Sequence, residues 1–161
     1  MAMHLRPYQP ADADAVLALN QSALDAVTSL DADRLELLAE LAAQVTVVVD
    51  QDAIAGFAIV FAPGSSYDSA NYAWFAARYD DFRYLDRVVV APTHRRRGVG
   101  TTLYDHLEAA AAASGRMALE VYVEPPNVAS LAFHRARGYA EQGRLPQPGG
   151  KVCTMLVKRL A

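Results

Sequence analysis

Cysteine is nearly absent from this chain, since Cys153 is the only one among 161 residues. One thiol cannot form a disulfide within the chain, so disulfide-stabilised secreted folds are excluded and a reducing cytoplasm is the expected compartment. The sequence also lacks an apolar run of the length that a membrane span requires, and its first ten residues lack the apolar segment of a secretory signal. We therefore expect a cytoplasmic protein without membrane association.

The sequence also has little excess of charge of one sign, because the formal net charge is only −3. A protein that binds nucleic acid through its overall electrostatics is therefore not expected. Basic residues do concentrate in one place, at positions 94–97, where a histidine precedes three arginines. The length and the 53% hydrophobic content predict one globular domain spanning residues 1–161.

Hydrophobic periodicity divides the chain into alternating strands and helices. Proline, glycine, asparagine and aspartate stand at most of the boundaries, as turn and cap chemistry requires. Strands are predicted over residues 3–6, 44–50, 53–61, 82–91, 117–123, 139–143 and 152–159. Helices are predicted over residues 10–24, 31–43, 99–114 and 127–137, with a short helical segment over 71–79. The alternation predicts an α/β fold whose sheet is covered on both sides.

An anion site is predicted where a strand, a basic turn and a helix follow one another. Residues 88–90 form an apolar strand end, residues 91–97 form the turn, and Gly98-Val99-Gly100 opens the helix. A helix start has unpaired N–H groups and a positive dipole end, and glycines let phosphate oxygens approach the backbone closely. Pyrophosphate is the ligand that this arrangement favours.

Two common phosphate-binding motifs do not match. A dinucleotide fingerprint requires a third glycine at the position of Leu103, and a P-loop requires serine or threonine where Val152 follows Gly150-Lys151. The pattern that remains is Arg95-x-x-Gly98-x-Gly100.

Three segments together resemble the Gcn5-related N-acetyltransferase (GNAT) superfamily. The acyl-CoA signature of that family is similar to Val88-Val89-Val90-Ala91-Pro92-x-x-Arg95-Arg96-Arg97-Gly98-Val99-Gly100. A later element is Asn127-x-x-Ser130-x-x-Phe133-His134-x-x-x-Gly138-Tyr139. The start of the chain, with Leu5-Arg6-Pro7, Asp12 and Ala15-Val16, resembles the family's common opening.

The resemblance implies a GNAT fold: a mixed, mostly antiparallel sheet of six to seven strands, splayed at the acyl-CoA slot and flanked by about four helices. It implies acetyl-CoA as co-substrate and direct transfer of the acetyl group to an amine. Asn127 is expected to cap its helix and to contact the pantetheine arm. The other cofactor-binding residues that the resemblance implies are Val88, Val89, Val90, Arg95, Arg96, Arg97, Gly98, Val99, Gly100 and Thr101.

Catalysis of amide formation requires removal of a proton from an ammonium group, since a lysine-like amine has a pKa of roughly 10.4. Asp86 resembles the position where some family members carry an acidic base. Strand alternation predicts that it shares a face with Val88 and Val90. An ion pair with Arg87 or with a cationic substrate is the alternative role.

Two further side chains are candidates for proton transfer. Glu120 is a rival base, because Leu119-Glu120-Val121 resembles a strand of ribosomal-protein N-terminal acetyltransferases, although a surface position is the preferred interpretation. His134 stands where most family members place the tyrosine that protonates the departing thiolate. Imidazole can donate a proton near neutral pH, and a purely structural role is the alternative.

The acceptor amine is not identified by any motif. Tyr67, Tyr72 and Trp74 lie in the segment that contributes to substrate pockets in this family, and they suit a small amine, an amino acid or a peptide. They would equally suit a homodimer contact. No histidine has a partner at metal-ligand spacing, so no metal site is proposed. Two alternatives are an acyl-CoA-binding regulatory domain without turnover and a nucleotide- or nucleic-acid-binding module built on the arginines.

Overall fold

The computed structural model describes residues 3–160. Within them the chain forms seven β-strands and five α-helices. The strands are β1 His4–Pro7, β2 Gln44–Asp50, β3 Ala53–Phe61, β4 Arg83–Val90, β5 Arg116–Glu124, β6 Ala140–Pro146 and β7 Val152–Arg159. The helices are α1 Ala13–Gln21, α2 Ala32–Leu41, α3 Ala70–Ala76, α4 Val99–Ala111 and α5 Val128–Ala136. Within residues 3–160, no helix is both long enough and apolar enough to cross a membrane.

All seven strands belong to one sheet, in the order β1-β2-β3-β4-β5-β7-β6. Every neighbouring pair is antiparallel except β4 and β5, which are parallel. The predicted α/β fold with a mixed, mostly antiparallel sheet is therefore confirmed.

The parallel pair in the centre of the sheet is very short. Arg83 pairs with Met117 and Tyr84 with Ala118, and the ladder between β4 and β5 ends there. Both strands continue, β4 to Val90 and β5 to Glu124. The backbone of β4 beyond Tyr84 is therefore separated from β5, and the predicted slot opens between the two strands.

Apolar side chains pack against both faces of the sheet, as the alternation along each strand requires. One cluster joins α1, α2 and α3 to the sheet through residues such as Val16, Leu38 and Phe75. The cluster on the opposite face contains Leu103 and Leu107 of α4, and other members come from β4, β5 and α5. The two faces thus present different surroundings to a ligand that enters the slot.

The first predicted helix is divided in two. A single 3-10 turn covers Pro10–Asp12 before α1 begins at Ala13. The Asp12 carboxylate accepts the backbone N–H of Gln9 at 2.8 Å and two hydrogen bonds from Arg6, which holds the chain in this tighter turn. At the other end, α1 stops at Gln21 rather than continuing to residue 24.

Candidate active site

A cavity of about 190 Å³ lies where β4 and β5 part. Its wall combines side chains from the middle strands, the α1–α2 connection, the β3–α3 connection, α4, α5 and the β6–β7 hairpin. The polar residues of this wall include Thr28, Tyr67, Asn71, Asp86, Arg87, Tyr104, Glu120, Asn127, His134 and Gln147.

Asp86 lies at a β-bulge, and this changes the direction of its side chain. Arg87 pairs with Ile59 and Leu85 pairs with Val60, so Asp86 is the extra residue between them. A bulge inserts one residue and interrupts the two-residue alternation. The prediction that Asp86 shares a face with Val88 and Val90 is therefore wrong. Those valines pack toward α4, whereas Asp86 bonds to residues of the opposite face.

The Asp86 carboxylate is held by two donors. The hydroxyl of Tyr67 donates to Oδ1 at 2.6 Å, and Nε of Arg87 donates to Oδ2 at 2.7 Å. Tyr67 is itself fixed by stacking on Phe61, with ring centroids 4.0 Å apart. Burial and the neighbouring Asp86 charge raise the pKa of the Tyr67 hydroxyl, so it stays protonated and remains a donor. Tyr67 thus lies in the cavity wall and holds Asp86, while its predicted contact with the acceptor stays a prediction.

Arg87 ties the α1–α2 connection to the central sheet. Its Nη1 donates to Oδ1 of Asn20 at 3.0 Å and to the carbonyl of Thr28 at 2.9 Å, and its Nη2 donates to Oγ1 of Thr28 at 3.0 Å. The side chains of Arg87 and Asp86 are only 5% and 6% exposed. This buried ion pair is the alternative role considered for Asp86, and it fixes one side of the cavity.

Glu120 lies in the cavity wall, so the interpretation of Glu120 as a surface residue is wrong. The hydroxyl of Tyr84 donates to its Oε1 at 2.6 Å. Burial raises the pKa of Glu120 to about 8, and the charge of Asp86 also raises it, against the lowering effects of the Tyr84 hydrogen bond and of Arg87. A carboxyl group with such a pKa is half ionised slightly above neutral pH, which suits a general base.

His134 is buried on the α4 side of the slot, where both ring nitrogens have partners. Nδ1 lies 2.7 Å from the carbonyl oxygen of Ser130, and Nε2 lies 2.7 Å from the hydroxyl of Tyr104. A carbonyl only accepts, so Nδ1 carries a proton and Nε2 of the neutral ring accepts from Tyr104. Burial lowers the pKa of His134, which favours this neutral form.

The basic turn has the backbone conformation of an anion site. Gly98 is the N-cap of α4, with φ of 78°, a left-handed value that glycine adopts without a steric cost. Thr102 makes the first helical bond back to the Gly98 carbonyl, so the preceding N–H groups of Val99, Gly100 and Thr101 point out of the helix end. Arg95 and Arg96 are exposed beside them.

Arg97 and His94 are connected to the sheet through one acidic residue. His94 Nε2 lies 2.8 Å from Oδ2 of Asp50, at the end of β2, and Arg97 Nη2 lies 4.0 Å from the same oxygen. The turn is therefore anchored at its base while its arginines reach solvent.

Asn127 caps α5, because its Oδ1 accepts the N–H of Ser130 at 3.3 Å. The capping prediction is confirmed, and the side chain also lies in the cavity wall.

Two of the three predicted acceptor-binding aromatics lie outside the cavity wall. The hydroxyl of Tyr72 donates to the Ala62 carbonyl at 2.6 Å, and its ring packs in the core beside Tyr84. Trp74 stacks beneath the guanidinium of Arg78, 3.5 Å from its ring centroid. Both residues stabilise α3 and the β3–α3 connection rather than face the slot.

Several residues of the wall gave no local signal in the sequence. Asn20, which supports the wall through Arg87, is 67 positions from it in the sequence, and Asn71 is 76 positions from Gln147. The amide pair is reciprocal, since Gln147 Nε2 donates to Asn71 Oδ1 at 2.9 Å and Asn71 Nδ2 donates back at 3.3 Å. Glu120 was indicated as a rival base by the resemblance of Leu119-Glu120-Val121, but nothing local in the sequence indicated its burial.

Cys153 also lies in this wall, and burial raises the pKa of its thiol to about 12. It therefore stays protonated and is a poor nucleophile. Among residues 3–160, no three or more histidine, cysteine, aspartate or glutamate side chains are grouped to hold a metal ion.

Comparison with known proteins identifies a family and several relatives. The sequence model of the acetyltransferase (GNAT) family matches residues 14–139. Phosphinothricin N-acetyltransferase of Streptomyces viridochromogenes is 35% identical over 78 residues, which are 48% of this chain and 43% of that protein. L-methionine sulfoximine/L-methionine sulfone acetyltransferase of Salmonella typhimurium is 32% identical over 75 residues, 45% of this chain and 44% of that protein. The matched stretch thus spans less than half the length of these relatives.

Solved structures share the fold over the whole described chain. The yncA protein of Salmonella typhimurium, solved with its cofactor acetyl-CoA, has a TM-score of 0.74 and 21% sequence identity. The match covers 100% of this chain and 95% of that one.

Proposed function

This chain belongs to the acetyltransferase (GNAT) family, and from that membership we propose that it is an acetyl-CoA-dependent N-acetyltransferase. The acceptor is the primary amine of a small molecule, an amino acid or a peptide. The observation that carries the proposal is the pair of carboxyl groups, Glu120 and Asp86, in the wall of a slot between parted strands.

Acetyl-CoA would be held along β4 and at the start of α4. The backbone of Val88, Val89 and Val90 faces the slot and would bond the pantetheine arm, which Asn127 would also contact. The N–H groups of Gly98, Val99, Gly100 and Thr101 would receive the pyrophosphate. Arg95, Arg96 and Arg97 would add positive charge around it.

Glu120 is the general base of the proposed reaction. Its ionised form takes a proton from the acceptor ammonium, and a pKa of about 8 brings the base closer to the roughly 10.4 of a lysine-like amine than an ordinary carboxylate would be. The amine nitrogen then attacks the thioester carbonyl carbon. A C–N bond forms, the C–S bond breaks and the CoA thiolate leaves, and the second proton of the attacking nitrogen passes through solvent to that thiolate, which leaves a neutral amide and a thiol. Asp86, which already accepts from Tyr67 and Arg87, orients this side of the site and receives part of the ammonium charge.

Departure of the thiolate makes a small demand on acid catalysis, because an ordinary thiol has a pKa of roughly 8.5. The neutral ring of His134 has its one N–H committed to Ser130. We therefore propose that His134 positions Tyr104 and the α5 wall, and that a direct acid role, as expected from its place in the sequence, is the alternative to be tested.

Calorimetric titration with acetyl-CoA tests the slot, with ATP and 3′,5′-ADP as controls that lack pantetheine. The proposal predicts tighter binding of acetyl-CoA than of either control, and weakening by Gly98→Glu. Equal binding of all three ligands would indicate that the basic turn is only a generic anion site.

Thiol release then tests turnover against a panel of amines. The relatives' names make phosphinothricin and L-methionine sulfoximine natural members of that panel. Binding of acetyl-CoA without thiol release for any amine, unaffected by Asp86→Asn or His134→Phe, would indicate a non-catalytic acyl-CoA-binding domain.

A further inference from the structure

The acceptor side of the cavity wall carries two carboxyl groups, Asp86 and Glu120, and a buried phenol donates to each of them. Tyr67 donates its hydroxyl proton to Asp86, and Tyr84 donates its own to Glu120, each at 2.6 Å. Burial raises the pKa of both phenols, so both remain protonated. Each hydroxyl has one proton, and these two are used. Tyr67, the phenol that lines the cavity, therefore offers an incoming ligand only lone pairs, and Tyr84 supports Glu120 from the core.

The cation of this wall is committed in the same way. A guanidinium has five N–H groups, and four of those on Arg87 donate to Asp86, Asn20 and Thr28. A carboxylate entering the cavity would have to displace Asp86, whose side chain is 6% exposed. It would also face the like charges of Asp86 and of ionised Glu120.

Two other cations stand near the cavity without belonging to its wall. Arg34 makes a two-bond ion pair with Asp68, at 2.6 and 3.1 Å, while its guanidinium lies 5.8 Å from the Tyr67 ring centroid. Lys151 lies over Tyr122, 5.1 Å from that ring centroid, in the exposed β6–β7 loop. Neither residue therefore supplies a cation to the wall itself.

Because an ammonium group is a cation and purely a donor, it complements a wall that carries two carboxyl groups and a guanidinium already bonded to other residues. Resting on the proposed acetyl transfer, we infer that the acceptor is a primary amine without an anionic group beside the nitrogen. An amine or an amino acid amide meets this description, and a free α-amino acid does not. The wall discriminates between the two kinds of acceptor because its own carboxyl groups repel a substrate carboxylate.

Matched acceptors isolate the effect of charge. Tyramine, L-tyrosinamide and L-tyrosine share a side chain and differ in having hydrogen, a neutral amide or a carboxylate beside the amine. The purified full chain should acetylate tyramine and the amide with kcat/KM at least about tenfold above L-tyrosine. Tyramine controls for the basicity of the amine. Its amine is at least as basic as that of tyrosine, so a preference for tyramine cannot come from easier loss of the ammonium proton.

A charge-adding variant tests the wall itself. Gln147→Arg places a cation in the cavity wall, where its donors can still reach the Asn71 amide oxygen. It should shift the ratio of kcat/KM toward L-tyrosine by at least about tenfold. Gln142→Arg is the matched control, because Gln142 is exposed on β6 outside the wall, and it should leave the ratio unchanged.

The outcomes separate this inference from the proposed function. Equal or greater activity on L-tyrosine, or an unchanged ratio in Gln147→Arg, would overturn the inference and leave the acetyltransferase proposal standing. No turnover of any of the three compounds by protein that binds acetyl-CoA would count against the proposed function, and the inference would fall with it.

Discussion

The Tyr104 hydroxyl and Nε2 of His134 lie 2.7 Å apart and share the phenol's proton across the α4–α5 contact. The other nitrogen of the ring donates to the Ser130 carbonyl one turn earlier in α5. Burial raises the pKa of Tyr104 and lowers that of His134, so the neutral pair is the stable form. Position 134, where the sequence suggested a proton donor, thus holds an imidazole whose two nitrogens are both hydrogen-bonded within the fold.

Removing one member of this pair should destabilise the fold more than removing both. His134→Phe leaves the buried Tyr104 hydroxyl without an acceptor, at a cost of about 1–3 kcal/mol, whereas adding Tyr104→Phe removes the orphaned group and should recover part of that loss. Urea denaturation of the two single variants and the double variant measures this coupling. If His134 only positions Tyr104, kcat of His134→Phe stays within about tenfold of wild type, whereas a loss of 10²-fold or more, the size of a general-acid contribution, would assign it the acid role.

Glu120→Gln should lower kcat by about 10²- to 10⁴-fold, because the amide keeps the shape of the base but cannot take a proton. Acetyl-CoA affinity should change little. Glu124→Gln is the matched control, since Glu124 is exposed at the end of the same strand. Steady-state thiol release and calorimetry together check the prediction, and a larger loss in Asp86→Asn than in Glu120→Gln would transfer the role of base to Asp86.

The rate should rise with pH through the titration of Glu120. Only the ionised carboxylate can accept a proton, so log kcat/KM is expected to climb with pH and to bend near the pKa of about 8. The bend should disappear in Glu120→Gln. Acceptors whose own amines titrate at clearly different pH values distinguish this inflection from that of the substrate.

Stability should depend on pH with the opposite sign. The folded-state pKa of Glu120 lies at about 8 and its ordinary value is 4.5, so between these values the folded chain holds a proton that the unfolded chain has lost. The free energy of unfolding contributed by this group therefore falls as pH rises from about 5 to 8. Glu120→Gln should be more resistant to urea than wild type at pH 8, and the advantage should vanish near pH 4. A constant difference across this range would contradict the assignment.

Trp74 and Gly143 give a prediction that concerns packing alone. A Cβ at position 143 would lie 2.7 Å from Cζ2 of Trp74, so Gly143→Ala should destabilise by about 1–3 kcal/mol. Trp74→Leu should relieve most of this cost in the double variant. Gly100→Ala is a useful contrast, because its Cβ meets nothing within 4 Å and alanine favours a helix by roughly 0.5–1 kcal/mol. Thermal denaturation should show opposite signs for the two alanine substitutions.

Local patterns were sufficient to predict much of the fold and the phosphate turn. Helix α4 could be predicted from a glycine start and a regular apolar stripe, and the Asn127 cap from one side chain next to a proline break. These features depend on residues within a few positions of one another. The strand–turn–helix segment is likewise continuous, so its backbone conformation could be predicted from the sequence, and its role in holding phosphate stays a prediction.

Long-range partners explain what the sequence did not indicate. The direction of Asp86 depends on a bulge that exists only when β4 pairs with β3. Burial of Glu120 depends on Tyr84, 36 positions away, and on neighbours supplied by α3 and the β6–β7 hairpin. Tyr72 and Trp74 had the composition of a binding surface, but the turn of α3 directs them to the core and to Gly143. Tertiary packing decided each of these cases.

The early separation of β4 from β5 also gives this sheet an internal edge. Unpaired strand edges are sites of aggregation, and proteins commonly protect them with charge, short length or covering elements. Here the edge lies in the middle of seven strands, and side chains from α4, α5 and the β3–α3 connection surround it. An extended ligand as thin as a pantetheine arm can still reach the exposed amides and carbonyls of β4. The elements that would line the proposed acetyl-CoA slot therefore also act as the cover that an unpaired strand edge requires.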